Sequence, residues 1–71
     1  MNTFATWTAI VRALIRAREQ RGLSIAALSK ALGFSPSAVG KWESGECWPA
    51  VPNLLAWCKY LGVELKAGEG A

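Results

Sequence analysis

The fold is decided by residues 22–45, which read GLSIAALSKALGFSPSAVGKWESG. The first half has the pattern of a short helix, because Ser24 can cap its N-terminus and Gly33 can end it in a left-handed conformation. Between these two residues, apolar side chains recur at helical spacing, at positions 25, 28 and 32. We therefore predict a helix of about two turns between Ser24 and Gly33.

The second half of the stretch has the same layout. Ser35 can cap a helix, and Pro36 follows at the first helical position, where proline is favoured. The helix is predicted to run from Pro36 to about Ser44 and to end at Gly45. Two short helices joined by a glycine-containing turn predict a helix-turn-helix over about residues 24–44.

Amphipathic patterns outside this stretch add one helix on each side. Upstream, apolar residues at helical spacing predict a helix from about Trp7 to Arg21, begun by Thr6 or Thr8 and ended by Gly22. The chain as a whole is predicted to be one all-α domain.

Downstream, a fourth helix is predicted from Val51 or Pro52 to Gly62. Its apolar face is predicted to consist of Val51, Leu54, Leu55, Cys58 and Leu61. Residues 63–65 alternate in polarity and predict a short extended piece, and residues 66–71 predict a loose tail. The single domain is expected to cover residues 1–71.

Composition narrows the class of function. The chain has 71 residues, with eight Lys or Arg, five Glu, no Asp and no His. Without His or Asp, most acid–base and nucleophile–base sites cannot be built, so we expect a binding module and not an enzyme. Cys47 and Cys58 are too few for a zinc site or a disulfide framework. We expect reduced thiols, no metal and no cofactor.

The same sequence predicts a cytoplasmic location. No apolar run is long enough to span a bilayer, and the N-terminus lacks the pattern of a signal peptide. Residues 1–45 hold six Lys or Arg against two Glu, and residues 46–71 hold two Lys against three Glu. The basic part suits nucleic acid as a partner, although a solvated helix face has the same charge.

The motif residues extend over about residues 10–65, and their joint spacing is specific. They are Gly22-Leu23-Ser24, Leu28, Leu32-Gly33-Phe34-Ser35, Val39, Trp42-Glu43-Ser44-Gly45, Pro49, Leu54-Leu55 and Leu61-Gly62-Val63. This pattern resembles the Cro/repressor-type, or XRE-type, helix-turn-helix family. The resemblance implies a compact four- to five-helix, lambda-repressor-like domain. It also implies that the third helix lies in the major groove of a double-stranded DNA operator, usually as part of a homodimer.

The resemblance also implies which residues meet DNA. Those that face bases are Pro36, Ser37, Gly40 and Lys41, those near phosphates are Ser35 and Ser44, and Ala38 could touch a thymine methyl group. Lys41 is the one long donor and suits guanine O6 and N7, while Ser37 can donate or accept. The alternative interpretation is that these residues are small, solvent-facing helix positions.

Two further positions, Arg18 and Glu43, pair across the core in the family that the sequence resembles. Arg18 falls on the apolar stripe of the first helix, where an unpaired charge would be costly to bury. We therefore expect a bidentate, largely buried ion pair between them.

The four tryptophans are predicted to have different roles. Trp42 and Trp57 fall on core positions, whereas a stacking platform for single-stranded nucleic acid would need exposed aromatic rings on one surface. Trp7 is expected at the edge of the core. Trp48 precedes Pro49 in a loop, where it is expected to be exposed, and with Tyr60, Val63 and Leu65 it forms the predicted dimer contact. Cys47 could be a redox handle in the same loop.

These patterns together predict a transcriptional repressor that occupies an operator as a homodimer and blocks polymerase. The rival interpretation is a protein-binding module, such as an antitoxin that binds a toxin, or a protein that contacts polymerase. The loop after Gly45 leaves room for this rival, because it begins Glu46-Cys47-Trp48 where the family is usually basic.

Overall fold

In the computed structural model of the protein, the described residues are 3–64, with side chains described from residue 6. They form four α-helices and no strand: α1 Thr3–Gln20, α2 Ile25–Leu32, α3 Pro36–Ser44 and α4 Val51–Leu61. The all-α prediction is confirmed, and α2 and α3 occupy the two segments from which the sequence predicts a helix-turn-helix. None of the helices within residues 3–64 has the length and apolarity that a membrane crossing requires.

Serine caps and glycine stops fix the ends of α2 and α3. The Oγ atoms of Ser24 and Ser35 each accept a hydrogen bond from the backbone N–H three residues ahead, at 3.0 and 3.1 Å. Gly33 and Gly45 have φ angles of +79° and +85°, in the left-handed region that L side chains rarely adopt. Their N–H groups bond back to carbonyls of the preceding turn. The connection between the two helices is therefore only residues 33–35.

The first helix is longer than the sequence predicts. It begins at Thr3 and not at Trp7, so Thr6 and Thr8 lie inside α1 and do not cap it. Residues 3–6 contain no glycine or proline, and nothing stops the helix from extending upstream. A capping residue marks a helix start only where the preceding chain leaves the helical conformation.

The core lies where all four helices meet. Its buried members are Leu14, Leu28, Val39, Trp42, Trp57, Cys58 and Leu61. The ring centroids of Trp42 and Trp57 are 5.7 Å apart, and Phe34 meets Trp42 edge-on at 5.3 Å. The contact between the two tryptophans joins α3 to α4, and Phe34 adds the turn between α2 and α3 to the same aromatic cluster. Trp42 and Trp57 are thus core residues, as the sequence predicts, and cannot form a stacking platform for single strands.

The buried face of α4 differs from the predicted one. Val51 and Leu55 are 65% and 52% exposed, although the spacing placed them on the apolar face. Trp57, which is fully buried, explains the difference. Trp57 is the largest side chain of α4, and burying it places Leu54 and Leu61 on the inward face of the helix. Val51 and Leu55 then face solvent.

The C-terminal ends of α1 and α4 are joined by one side chain. Arg21 donates from Nη1 to the carbonyl oxygen of Tyr60 at 3.0 Å and from Nη2 to that of Leu61 at 3.2 Å. A cation at this position satisfies carbonyls that lack a partner within the helix and complements the negative end of its dipole. After α4, residues 63 and 64 have no regular structure. Residue 65, the last of the predicted extended piece, and the predicted tail lie outside the described residues.

Candidate nucleic-acid interface

One side of α3 faces the core and the other faces solvent. At about 100° per residue, the outward positions fall on one surface, which we call the outer face of α3: Ser37, Gly40, Lys41 and Ser44. Ser37, Lys41 and Ser44 are exposed and Gly40 is half-buried. The opposite side carries Val39, which is fully buried. The structure therefore brings four of the predicted DNA-contacting residues together on one accessible surface.

The N-terminal end of α3 lies next to this face. Ser35 and Pro36 are both exposed there. The Oγ of Ser35 accepts a backbone hydrogen bond, which leaves its own hydroxyl proton available for a second partner. Within the first turn Pro36 has no N–H, and the N–H groups of Ala38 and Val39 bond to Ser35. The N–H of Ser37 and the positive end of the helix dipole are therefore what favour an anion such as a phosphate here.

Two predicted contacts are less available to DNA than the sequence suggests, one through burial and the other through hydrogen bonds within the chain. Ala38 is half-buried and packs against the core, at the margin of the outer face. The hydroxyl of Ser44 donates to the carbonyl oxygen of Lys41 at 3.1 Å and accepts from the N–H of Glu46 at 3.4 Å. A phosphate at Ser44 would therefore have to replace a hydrogen bond within the chain.

Lys41 and Gly40 are the two positions on the outer face that stand out. Among residues 6–64, no carboxylate lies within 4.0 Å of the Lys41 ammonium, so its charge is available to an external partner. A Cβ atom added at Gly40 would meet nothing within 4 Å. Glycine inside a helix costs about 1 kcal/mol relative to alanine. Since packing within the domain does not require a glycine here, its absence of a side chain suits the close approach of another molecule.

The ion pair implied by the resemblance is present. Arg18 donates from Nε to Oε2 of Glu43 at 2.7 Å, from Nη2 to Oε1 at 3.0 Å, and from Nη1 to the carbonyl oxygen of Leu23 at 2.7 Å. The two side chains are 12% and 7% exposed. The hydrogen bond to Glu43 raises the pKa of Arg18, although partial burial opposes it. We call these three hydrogen bonds of the Arg18 guanidinium the Arg18 fork. The fork joins α1, the α1–α2 connection and the C-terminal end of α3.

Comparison with known proteins agrees with this geometry. A family model described as helix-turn-helix matches residues 14–67. The chain belongs to the Cro/C1-type (XRE) helix-turn-helix family. Its members are DNA-binding regulators, and α3 is the third helix, for which the resemblance implies a place in the major groove. No curated protein and no solved structure matched the chain in the corresponding searches.

A groove lies between α1 and the C-terminal end of α3. We call it the α1–α3 groove; it has a volume of about 410 Å³ and is lined by α1 residues between Trp7 and Ile15 and by residues 43–45. The indole N–H of Trp7 is buried and has no acceptor among the described residues. Such an unmet donor costs about 1–3 kcal/mol. The i, i+4, i+8 spacing of residues 7, 11 and 15 is the sequence signal that could have indicated this second apolar stripe of α1.

The Trp7 ring also contacts the loop after α3. Its centroid lies 5.5 Å from that of Trp48, with the two rings tilted by 38°. Trp48 is nevertheless 57% exposed, as the sequence predicts for this loop position. The loop is therefore held to α1 by an aromatic contact that leaves most of one ring open to solvent.

Exposed apolar side chains form a patch at the start of α4. Trp48, Val51 and Leu55 follow one another at spacings of three and four residues, and each is more than half exposed. We call this set the α4 patch. Sequence reasoning identified only its first member, because it placed the other two in the core. Apolar side chains this exposed are available to a partner.

The other predicted dimer residues do not join the α4 patch. Tyr60 is 41% exposed, but nine residues of helix place it about 180° around α4 from Val51. Val63 is half-buried and packs against the core, and Leu65 lies outside the described residues.

The two thiols differ in environment. Cys47 is exposed and Cys58 is buried, and both are free. Burial raises the pKa of the Cys58 thiol, which lowers its reactivity. Within residues 6–64, no group of three or more potential ligands could hold a metal ion.

Proposed function

We propose that the protein is a cytoplasmic transcriptional repressor that binds a two-fold operator in double-stranded DNA as a homodimer. The observation that carries this proposal is the outer face of α3, which presents an unpaired lysine and small polar residues on the reading helix of a DNA-binding family. Occupation of the operator would exclude polymerase from the promoter.

On DNA, the first turn of α3 enters the major groove. Ser35 and the N–H of Ser37 contact the phosphate backbone, where the helix dipole favours negative charge. Ser37 and Lys41, four residues apart on one face, then meet the same stretch of bases. Lys41 reads guanine through O6 and N7, and Gly40 lets the helix backbone approach the base edges.

A single copy reads too few bases for a specific operator, because Lys41 is the one long hydrogen-bond donor on the outer face of α3. Two copies one helical turn apart double the readout. The α4 patch supplies the apolar surface for pairing them, since a dimer interface buries large side chains such as Trp48 at its centre. We therefore assign the interface to Trp48, Val51 and Leu55 and not to Tyr60 and Val63.

The test is binding to upstream DNA of the protein's own operon, measured by fluorescence anisotropy over a salt series. We expect affinity to fall steeply with salt, as counterions are released from the phosphates that the protein contacts. Lys59→Ala is the matched control for Lys41→Ala, because Lys59 is also exposed but lies on α4. Equal losses for the two variants, or no binding at low salt, would refute the proposal.

The α4 patch also supports a second function, in which the domain binds a different protein such as a toxin or polymerase. Affinity purification with the co-encoded neighbouring protein tests it. A complex that survives high salt and is lost in Leu55→Ser would favour this function, because an apolar contact resists salt whereas a DNA contact does not. Sedimentation of the isolated protein as a dimer at the same concentration would favour the first.

A further inference from the structure

On its α1 side, the α1–α3 groove is lined by residues that lie outside the buried core cluster and outside the outer face of α3. Val11 is only 6% exposed, yet it is not part of the core cluster. With Trp7 and Ile15 it forms an apolar floor along one side of α1. The volume of about 410 Å³ lies within the range of sites that bind small organic molecules.

The charge of the groove is positive, although a carboxylate lies in its wall. Both oxygens of Glu43 accept hydrogen bonds from Arg18, so that charge is already neutralised. Arg12 also lines the groove and is exposed, and no carboxylate of residues 6–64 lies within 4.0 Å of it. An apolar floor beside an unpaired guanidinium complements a molecule with an apolar body and one carboxylate.

The wall at Trp7 is able to adjust to such a molecule. No described residue accepts a hydrogen bond from its indole N–H, so only packing holds the ring in place. Part of that packing comes from Trp48, which is itself more than half exposed. The Trp7 and Arg12 side chains both line the groove, so one ligand can contact both.

We propose that the α1–α3 groove binds a small aromatic carboxylic acid. The carboxylate pairs with Arg12, and the aromatic body lies against Trp7, Val11 and Ile15. Ser44 and Gly45, at the end of the reading helix, form the opposite wall. Occupancy therefore bears directly on α3, and, if the proposed function holds, the acid acts as an effector that changes operator affinity.

The binding site is tested on the full chain without DNA, with phenylacetate as the probe. Nuclear magnetic resonance of the four indole N–H groups follows the titration, and Trp7→Phe assigns the Trp7 signal. We expect a saturable shift of that signal, with phenylacetamide binding at least about tenfold more weakly because it lacks the charge. Absence of saturation below about 10 mM, or equal binding of the amide, would overturn the site.

Arg12→Gln and Arg16→Gln form the matched pair. Both arginines are exposed on α1, but only Arg12 lines the groove. We expect Arg12→Gln to weaken phenylacetate binding by at least about tenfold and Arg16→Gln to leave it unchanged. Equal behaviour of the two variants would show that net charge alone attracts the acid and would overturn the assignment.

Anisotropy of the operator duplex, with and without phenylacetate, tests the regulatory role. By linkage, the factor by which the acid changes DNA affinity equals the factor by which DNA changes affinity for the acid. Binding of phenylacetate without any duplex binding would refute the proposed function and leave the site standing. Duplex binding without phenylacetate binding would refute the ligand site and leave the proposed function standing. Binding of both without coupling would overturn the effector role.

Discussion

The outward surfaces of α3 and α4 have opposite chemistry. α3 presents Ser37, Gly40 and Lys41, which are small or polar, whereas α4 presents Val51 and Leu55, which are apolar and more than half exposed. Both helices bury tryptophan on their inner side. One small core therefore supports two surfaces of different chemistry, and the proposed partners differ accordingly, a polyanion at α3 and a protein at α4.

The two helices also differ in how they are fixed. α3 has a serine cap, a glycine stop and the Arg18 fork at its C-terminal end. α4 also ends at a glycine stop, Gly62, and its end is held by Arg21, but it has no side-chain cap at Ala50. The helices therefore differ mainly at their N-terminal ends, and the proposed role of α3 calls for the more closely fixed start.

The largest expected effect comes from removing the fork that fixes α3. Arg18→Ala strands the Glu43 carboxylate, which is 7% exposed, without a partner. We expect a loss of about 3–5 kcal/mol in the free energy of unfolding, measured by urea denaturation. Arg16→Ala, an exposed arginine of the same helix, should lose less than about 0.5 kcal/mol. Similar midpoints for the two variants would mean that the ion pair contributes little.

Next in size is the effect of making the α4 surface polar. The double variant Val51→Ser, Leu55→Ser should weaken the dimer by about 3 kcal/mol, since burying one such side chain contributes about 1.5–3 kcal/mol. Sedimentation equilibrium measures the association, and the unfolding midpoint of the monomer should hardly change, because both residues are exposed. A wild-type protein that stays monomeric at high concentration, with and without DNA, would contradict the assigned interface.

A smaller effect is expected from the polar surface of α3. Lys41→Ala should reduce operator affinity by about 1–3 kcal/mol and relax base preference at one position in each half-site. Random duplex should bind almost as before, because a base contact is lost and not a phosphate contact. Equal loss on operator and random duplex, with a salt slope lower by about one unit, would instead make Lys41 a phosphate contact.

The smallest effect is expected from Gly40→Ala, on the outer face of α3. Gly40→Ala should stabilise the domain by up to about 1 kcal/mol, because alanine is the better helix former and its Cβ meets nothing within 4 Å. The same methyl group should lower operator affinity if α3 lies close to the base edges. Thermal unfolding and anisotropy, measured on one preparation, separate the two effects. Unchanged affinity would show that Gly40 does not approach DNA closely.

Sequence reasoning worked best where local chemistry decides the structure. The ends of α2 and α3 were predicted correctly because serine caps and glycine φ angles depend on only a few neighbouring residues. The residues concerned are Ser24, Gly33, Ser35 and Gly45. The partner of Arg18 came from a family pattern, because 25 residues separate it from Glu43 and spacing alone cannot join them.

The rest depends on tertiary packing. The rotation of α4 follows from how Trp57 fits against Trp42, and this turned Val51 and Leu55 outward against their spacing. The α1–α3 groove needs two helices that are distant in sequence, so no local pattern shows its volume. The residues of its apolar floor recur at helical spacing in the sequence, but this spacing is equally typical of a helix face packed in the core.

The two hydrogen bonds of Arg21 have a consequence for the motions of the domain. They connect residues 39 and 40 positions apart in the chain, and both belong to one side chain. Arg18 lies three residues before Arg21, so the last turn of α1 is tied to α3 through one arginine and to α4 through the other. Loss of the Arg21 side chain would remove both of its bonds at once, and we expect the last turn of α4 to open more readily as a result.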